Sequence, residues 1–263
     1  MNVKMLPLDE AVADAGRQLA LYGKKVEVAR WQGTSVQGDP SMATIEVINH
    51  SFASPMIDHA GCLAERVRPN LPWADDHFAE RVGGRPLNPG EQWANWPYSA
   101  GQGPAADRFR DADGCFTHTY MERMWAPNLS GIRFDYGNLA DVVDLLARDP
   151  DTRQAFLPIW FPEDTGAVHQ GRVPCTIGYH FLLRDGMLHC FYPIRACDFV
   201  RHFRDDIYLA NRLASWVLQE LVEHRSASSS MWASVKLGLL TMHIWSLHCF
   251  AGEFHKIKEE YGG

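Results

Sequence analysis

Arg172-Val-Pro-Cys175-Thr-Ile-Gly-Tyr-His-Phe-Leu-Leu-Arg184-Asp-Gly-Met187-Leu-His-Cys-Phe-Tyr-Pro-Ile-Arg195-Ala-Cys-Asp198-Phe-Val-Arg-His-Phe203-Arg-Asp-Asp206 sets two apolar, partly alternating runs on either side of Asp185-Gly186. That dipeptide reads as a hairpin turn, because both residues tolerate the positive φ of a type I′ turn. If Arg184 and Met187 close it, paired residue numbers keep a constant sum and Cys175 falls opposite Ala196. A thiol then lies within one residue of a permanent cation, Arg195. The thiolate is the reactive form of cysteine, and a neighbouring cation lowers a thiol's pKa, so the pair is a candidate activated nucleophile. A strict ladder sends Cys175 and Arg195 to opposite faces, so the reading requires a bulge or a bend.

Beyond the hairpin, residues 206–224 have helical spacing, with Leu209, Leu213, Trp216, Val217 and Leu221 on one face. Asp205 or Asp206 begins it, and Asp206 also fits an ordinary N-cap. Upstream, Leu8 to Tyr22 and Asn138 to Arg148 read as helices. Thr44 to Phe52 reads as a strand, and 61–82 as a helical pattern interrupted by Pro69 and Pro72. From Gly83 to Gly114 the composition turns to Gly, Pro, Asn and Asp with several tryptophans, a loop long enough to suggest function. Glu91 is its one carboxylate beside bulky aromatics, Trp93 and Trp96; it also fits a surface glutamate at a helix start.

The bulk properties narrow the partners. The chain has 263 residues, 46% apolar and 22% charged, with ample material for a core. A net charge of −7 argues against a broad nucleic-acid surface, while a few converging arginines can still hold one phosphate. Neither a signal-peptide pattern nor an apolar run near the roughly 18 residues of a membrane span is present, so a cytoplasmic location is expected. Six scattered cysteines without a Cys-x-x-Cys pair suggest reduced thiols and no metal site.

The ordered set of Pro174-Cys175, Arg195-x-x-Asp198 and the helix opening after it resembles the thymidylate synthase superfamily. Phe203-Arg-Asp-Asp206 is most similar to the deoxycytidylate hydroxymethylase branch, where Phe-Arg-x-Asp fills the site of the synthases' Pro-Phe-Asn. Three further segments resemble the family, among them Asp149-Pro-Asp-Thr-Arg153-Gln154, similar to its Asn-Pro-Asp-Ser-Arg-Arg. Phe116 to Trp125 is similar to its Tyr-Gly-x-x-x-Arg/Trp segment, with Met121 in place of Gly. Met242-His243-Ile-Trp245-Ser-Leu-His248 is similar to His-x-Tyr-Ser-x-His. The likeness is good over residues 115–255 and thin before them.

The resemblance implies an α+β fold, one domain over 1–263, with a bent mixed sheet flanked by helices and a sheet-mediated homodimer. It implies that Cys175 adds to C6 of a cytosine nucleotide, so that C5 takes a one-carbon unit from methylenetetrahydrofolate. Water then completes a 5-hydroxymethyl product from dCMP or CMP. Tyr120 takes the role of helping to remove the C5 proton, and Glu91 that of ordering water. Asp206 selects cytosine, because a carboxylate accepts from an amino group and would face the O4 acceptor of uracil unpaired. Asp198 holds the pterin edge, or pairs with Arg195 or Arg201. Arg30 and Ala196 fall at phosphate positions, the latter in place of a serine, and Arg195 at a substrate-binding position. Arg153 reaches across the dimer to the partner's phosphate, with Gln154 where the family has a second arginine; it also fits a simple loop cap. His243 and Trp245 hold the sugar, Trp245 as a donor only. Methylation of cytidylate or deoxyuridylate, and an inactive nucleotide-binding homologue, remain alternatives.

Overall fold

Alternating and helical stretches of the sequence resolve into a mixed sheet with helices laid against it. The computed structural model describes residues 3–31, 34–98, 110–125, 137–165, 173–224 and 229–262. Its first half contains β1 (Lys4–Met5), α1 (Leu8–Tyr22), β2 (Lys24–Val26), β3 (Arg30–Trp31), β4 (Thr34–Ser35), β5 (Thr44–Pro55), α2 (Ala60–Val67), α3 (Trp73–Arg81), α4 (Gln92–Asn95) and α5 (Tyr120–Met124). Its second half contains α6 (Leu139–Arg148), β6 (Phe156–Pro158), β7 (Gly178–Arg184), β8 (Met187–Asp198), α7 (Phe203–Glu223), α8 (Ser229–Trp232), β9 (Lys236–Phe250) and α9 (Phe254–Tyr261).

Seven strands form one sheet in the order β1-β5-β9-β8-β7-β6, with β2 added to β5. β8 and β9 run parallel, while β5–β9, β7–β8 and β6–β7 are antiparallel. The expected α+β class is the observed one. α7 buries Ile207, Ala210, Leu213, Ala214, Val217 and Leu221 in the core that includes Tyr192, Ile194, Met242 and Ile244 of β8 and β9. Each such large aliphatic side chain stabilises the fold by roughly 1.5–3 kcal/mol. α1 occupies the expected Leu8–Tyr22, and its apolar stripe Leu8, Val12, Ala15 and Leu19 is buried. α6 opens on a capping box between Asn138 and Asp141, matching the expected helix. Pro69 and Pro72 divide the 61–82 pattern into α2 and α3, since proline cannot continue the helix preceding it.

The hairpin closes as read. Arg184 pairs with Met187, and Asp185 and Gly186 take φ of 52° and 71°. The constant sum holds from that pair down to His180 opposite Phe191. It then slips by one, with Thr176 bridging Ile194 and Arg195 donating its N–H to the Cys175 carbonyl at 2.9 Å. Cys175 therefore faces Arg195 rather than Ala196.

A second irregularity runs across the sheet. In β8 the inward residues are Leu188, Cys190, Tyr192 and Ile194, but then Cys197, so Arg195 and Ala196 fall together off the core. In β9, Ile244 and Leu247 are inward with Trp245 and Ser246 between them. In β5, His50 is buried while Ile48 and Asn49 are exposed, and Asn49 has a φ of 60°. These positions are neighbours: Ala196 pairs with Ser246, and Ser246 with Ile48. Alternation thus slips at one level in three adjacent strands, and the sheet bends there. It adjoins the β7–β8 slip that sets Cys175 opposite Arg195.

Candidate active site

The β7–β8 slip places Arg195 beside the thiol. Arg195 Nη2 lies 4.0 Å from Cys175 Sγ, and the guanidinium is fixed by the carbonyls of Pro174 (2.8 Å) and Val173 (3.2 Å). Its charge is thus held where it stabilises a thiolate. Cys175 is partly exposed and lines a cavity of about 430 Å³. Arg30, Tyr120, Arg195, Ala196, Asp198 and Asp206 line the same cavity.

Behind the thiol runs a chain of buried hydroxyls. Tyr120 Oη is 3.1 Å from Thr176 Oγ1, which is 2.9 Å from Tyr192 Oη. Tyr192 donates to Asp206 Oδ1 at 3.2 Å, and the Cys197 thiol donates to Asp206 Oδ2 at 3.4 Å. Burial pushes the Asp206 carboxyl up to about 6, with the nearby Arg81 cation opposing the shift. Burial also raises Tyr120 well above the usual phenol range. α7 begins at Phe203, so Asp206 lies in its first turn and is not its N-cap. Asp205, also in that turn, accepts the backbone N–H and side-chain amide of Asn70, both at 2.8 Å. This ties the α2–α3 connection to α7.

Asp198 ends β8, with Oδ1 accepting the N–H groups of Val200 (3.0 Å) and Arg201 (3.1 Å). Burial raises its pKa, against the lowering pull of His248 and Arg201. Arg201 is 3.7 Å from Asp198 and 2.8 Å from Glu253, so the pairing of Asp198 with Arg201 is partial. Beside it the Trp96 ring stacks on His202 at 4.5 Å and 11°.

Four expected site residues lie outside the lining of this cavity. Glu91 is exposed at the start of α4 and does not line the cavity. Its backbone N–H and that of Gln92 instead hold the carboxylate of Glu80, which does line it. A Cβ on Gly90 would sit 2.5 Å from that carboxylate, so glycine is what lets the two segments meet. Arg153 is exposed in the connection before β6, away from the cavity. His243, bonded to Ser51 Oγ at 3.0 Å, and Trp245, 54% exposed, also lie outside its lining. The bend turns this part of β9 away, and His248 and Phe250 at the strand end reach the cavity in their place.

Sequence reasoning read a helix here but missed what α3 brings to the site. Trp73, His77, Glu80 and Arg81 form one helical stripe along the cavity wall, at the i, i+4, i+7 and i+8 positions. Arg81 Nε donates to His77 Nε2 at 2.9 Å, so the imidazole proton sits on Nδ1, 3.5 Å from Glu80 Oε2. Burial first, and Arg81 second, lower the His77 pKa, keeping the ring neutral. Trp73 stacks on it at 4.9 Å. The Arg81 guanidinium lies 4.2 Å over the Tyr120 ring. The available signal was this helical spacing of His-x-x-Glu-Arg.

No family model matches the chain. In structure it is similar to thermostable thymidylate synthase A from Bacillus subtilis, with a TM-score of 0.68 and 15% sequence identity. The match covers 98% of this chain and 84% of that one. The fold is therefore thymidylate synthase-like. Among the described residues there is no cluster of three or more metal-ligating side chains, and no helix is long and apolar enough to cross a membrane.

Proposed function

We propose that the chain transfers a one-carbon unit to C5 of cytosine in dCMP or CMP, using Cys175 as a transient nucleophile at C6 and giving a 5-hydroxymethyl product. The observation that carries this reading is the 4.0 Å approach of Arg195 to Cys175 within the cavity that also contains Asp206 and Tyr120. A cytosine C5 is unreactive while its ring is conjugated. Thiolate addition at C6 breaks that conjugation and makes C5 nucleophilic. Arg195 stabilises the thiolate, and Asp206 accepts from the exocyclic amine. Tyr120 handles the C5 proton.

Methylenetetrahydrofolate, when bound, supplies the one-carbon unit. The cavity fits a flat heterocycle with N–H donors: Trp73 and Trp96 present aromatic faces, and the Asp198 carboxylate is buried beside them. Glu80 replaces Glu91 as the carboxylate that orders water. Arg30 and Arg195 are the phosphate ligands from this chain. Arg153 serves a partner subunit in a homodimer, which accounts for its exposure here.

The test is the mass of the product formed from CMP, dCMP or dUMP with methylenetetrahydrofolate. Gain of CH2O by a cytidylate supports the proposal. Gain of CH2 means methylation, the second enzyme reading. Nucleotide bound without any mass change selects the inactive homologue.

A further inference from the structure

From the hydroxyl chain behind Cys175 we infer that Tyr120 exchanges its proton with Asp206 through Thr176 and Tyr192, so that the base-selecting carboxylate also serves the reacting carbon. The inference rests on the proposed cytidylate chemistry and extends it to two residues, Thr176 and Tyr192, which need not touch substrate. The three links measure 3.1, 2.9 and 3.2 Å. Thr176 and Tyr192 are fully buried, so water does not compete for these bonds.

The direction of the chain follows from counting hydrogens. A phenol or alcohol donates one. When Asp206 is ionised it can only accept, so Tyr192 spends its hydrogen there. Thr176 must then donate to Tyr192, and Tyr120 to Thr176. The Tyr120 oxygen is left with lone pairs free to take a proton from C5. As it does so, each hydroxyl passes its own hydrogen one place along, and Asp206 ends protonated. Running in reverse, the same chain delivers a proton to C5. Among the three acids, Asp206 at about 6 is the natural terminus, because both phenols are pushed upward by burial.

The chain makes hydrogen exchange at C5 a direct readout without folate. In deuterated water, sulfur bonds to C6 as the C5=C6 electron pair takes a deuteron from Tyr120. In the reverse step water on the opposite face of the ring takes the original hydrogen, its electron pair restores the double bond, and the thiolate leaves. Exchange at C5 of CMP and dCMP is followed by proton NMR, alongside nucleotide affinity and thermal stability. Tyr192→Phe and Thr176→Val are expected to slow exchange at least about tenfold at unchanged nucleotide affinity, the scale of a lost acid–base group. Thr176→Ser keeps the hydroxyl and is expected to exchange as the native protein does.

Wild-type exchange rates in both deletion variants would overturn the relay. So would losses that merely track weakened affinity or stability, or a failure of Thr176→Ser to rescue. A native protein that binds cytidylate but never exchanges C5 removes the relay and the nucleophile reading together. Exchange that survives Tyr192→Phe removes the relay alone.

Discussion

Under the proposed chemistry Cys175 and Asp206 carry separable burdens, and their variants should fail differently. Cys175→Ser keeps the shape but replaces the thiolate by a poor nucleophile. Turnover should fall by at least about 10³-fold while nucleotide affinity holds, read by steady-state kinetics and calorimetry. Asp206→Asn exchanges an acceptor for a group that both donates and accepts. Preference should move from cytosine toward uracil by about tenfold or more in kcat/KM; an unchanged preference would reject the selector role.

The same substitution has a stability signature. Asp206 rises from 3.8 to about 6 on folding, through burial, with Arg81, Tyr192 and Cys197 opposing the shift and Asp205 adding to it. A raised folded-state pKa gives a contribution that is whole below 3.8 and lost as pH rises through 6. The asparagine variant does not titrate, so its stability relative to the native protein should improve between pH 4 and 7 by up to about 3 kcal/mol. Denaturant midpoints across that range check the sign.

At the level of elements, a one-residue slip of the β7–β8 ladder sets Arg195 opposite Cys175, and the broken alternation of β5, β8 and β9 lies beside it. Asn49 marks that break with a φ of 60°, a region that asparagine and glycine enter and β-branched residues avoid. Asn49→Ile should cost about 1–2 kcal/mol and lower turnover, whereas Asn49→Gly should be near neutral in stability. Urea denaturation with parallel kinetics would show both. Elements of strong local character were legible in the sequence. α1 and the Asp185-Gly186 hairpin declare themselves through apolar period and turn chemistry. The bend did not, because a slip in alternation is set by three strands far apart in the chain. α3 was half seen: prolines marked its start, but which side its polar stripe faces depends on the distant segment at Gly90 that meets Glu80.

For the whole molecule, the phosphate sets the demand on assembly. Arg30 and Arg195 line the cavity, while Arg153 sits exposed on the flank of the sheet near Phe156, itself 40% exposed. Exposed Ile48 and Trp245 mark the open face of the bend. A symmetric dimer that lends Arg153 to its partner makes a specific demand. Subunits bearing Arg153→Ala and subunits bearing Cys175→Ser, each inactive alone, should regain about a quarter of native activity when mixed and allowed to re-pair. Persistent inactivity of the mixture would place Arg153 in its own subunit or outside the chemistry.

The account turns on where the pyrimidine sits, and a crystal structure of the complex with CMP or dCMP measures that directly. It should place C6 about 3.5 Å or less from Cys175 Sγ, with the exocyclic amine donating to Asp206. A ring bound with C6 beyond reach of that sulfur, or with its amino edge turned away from Asp206, would contradict the account.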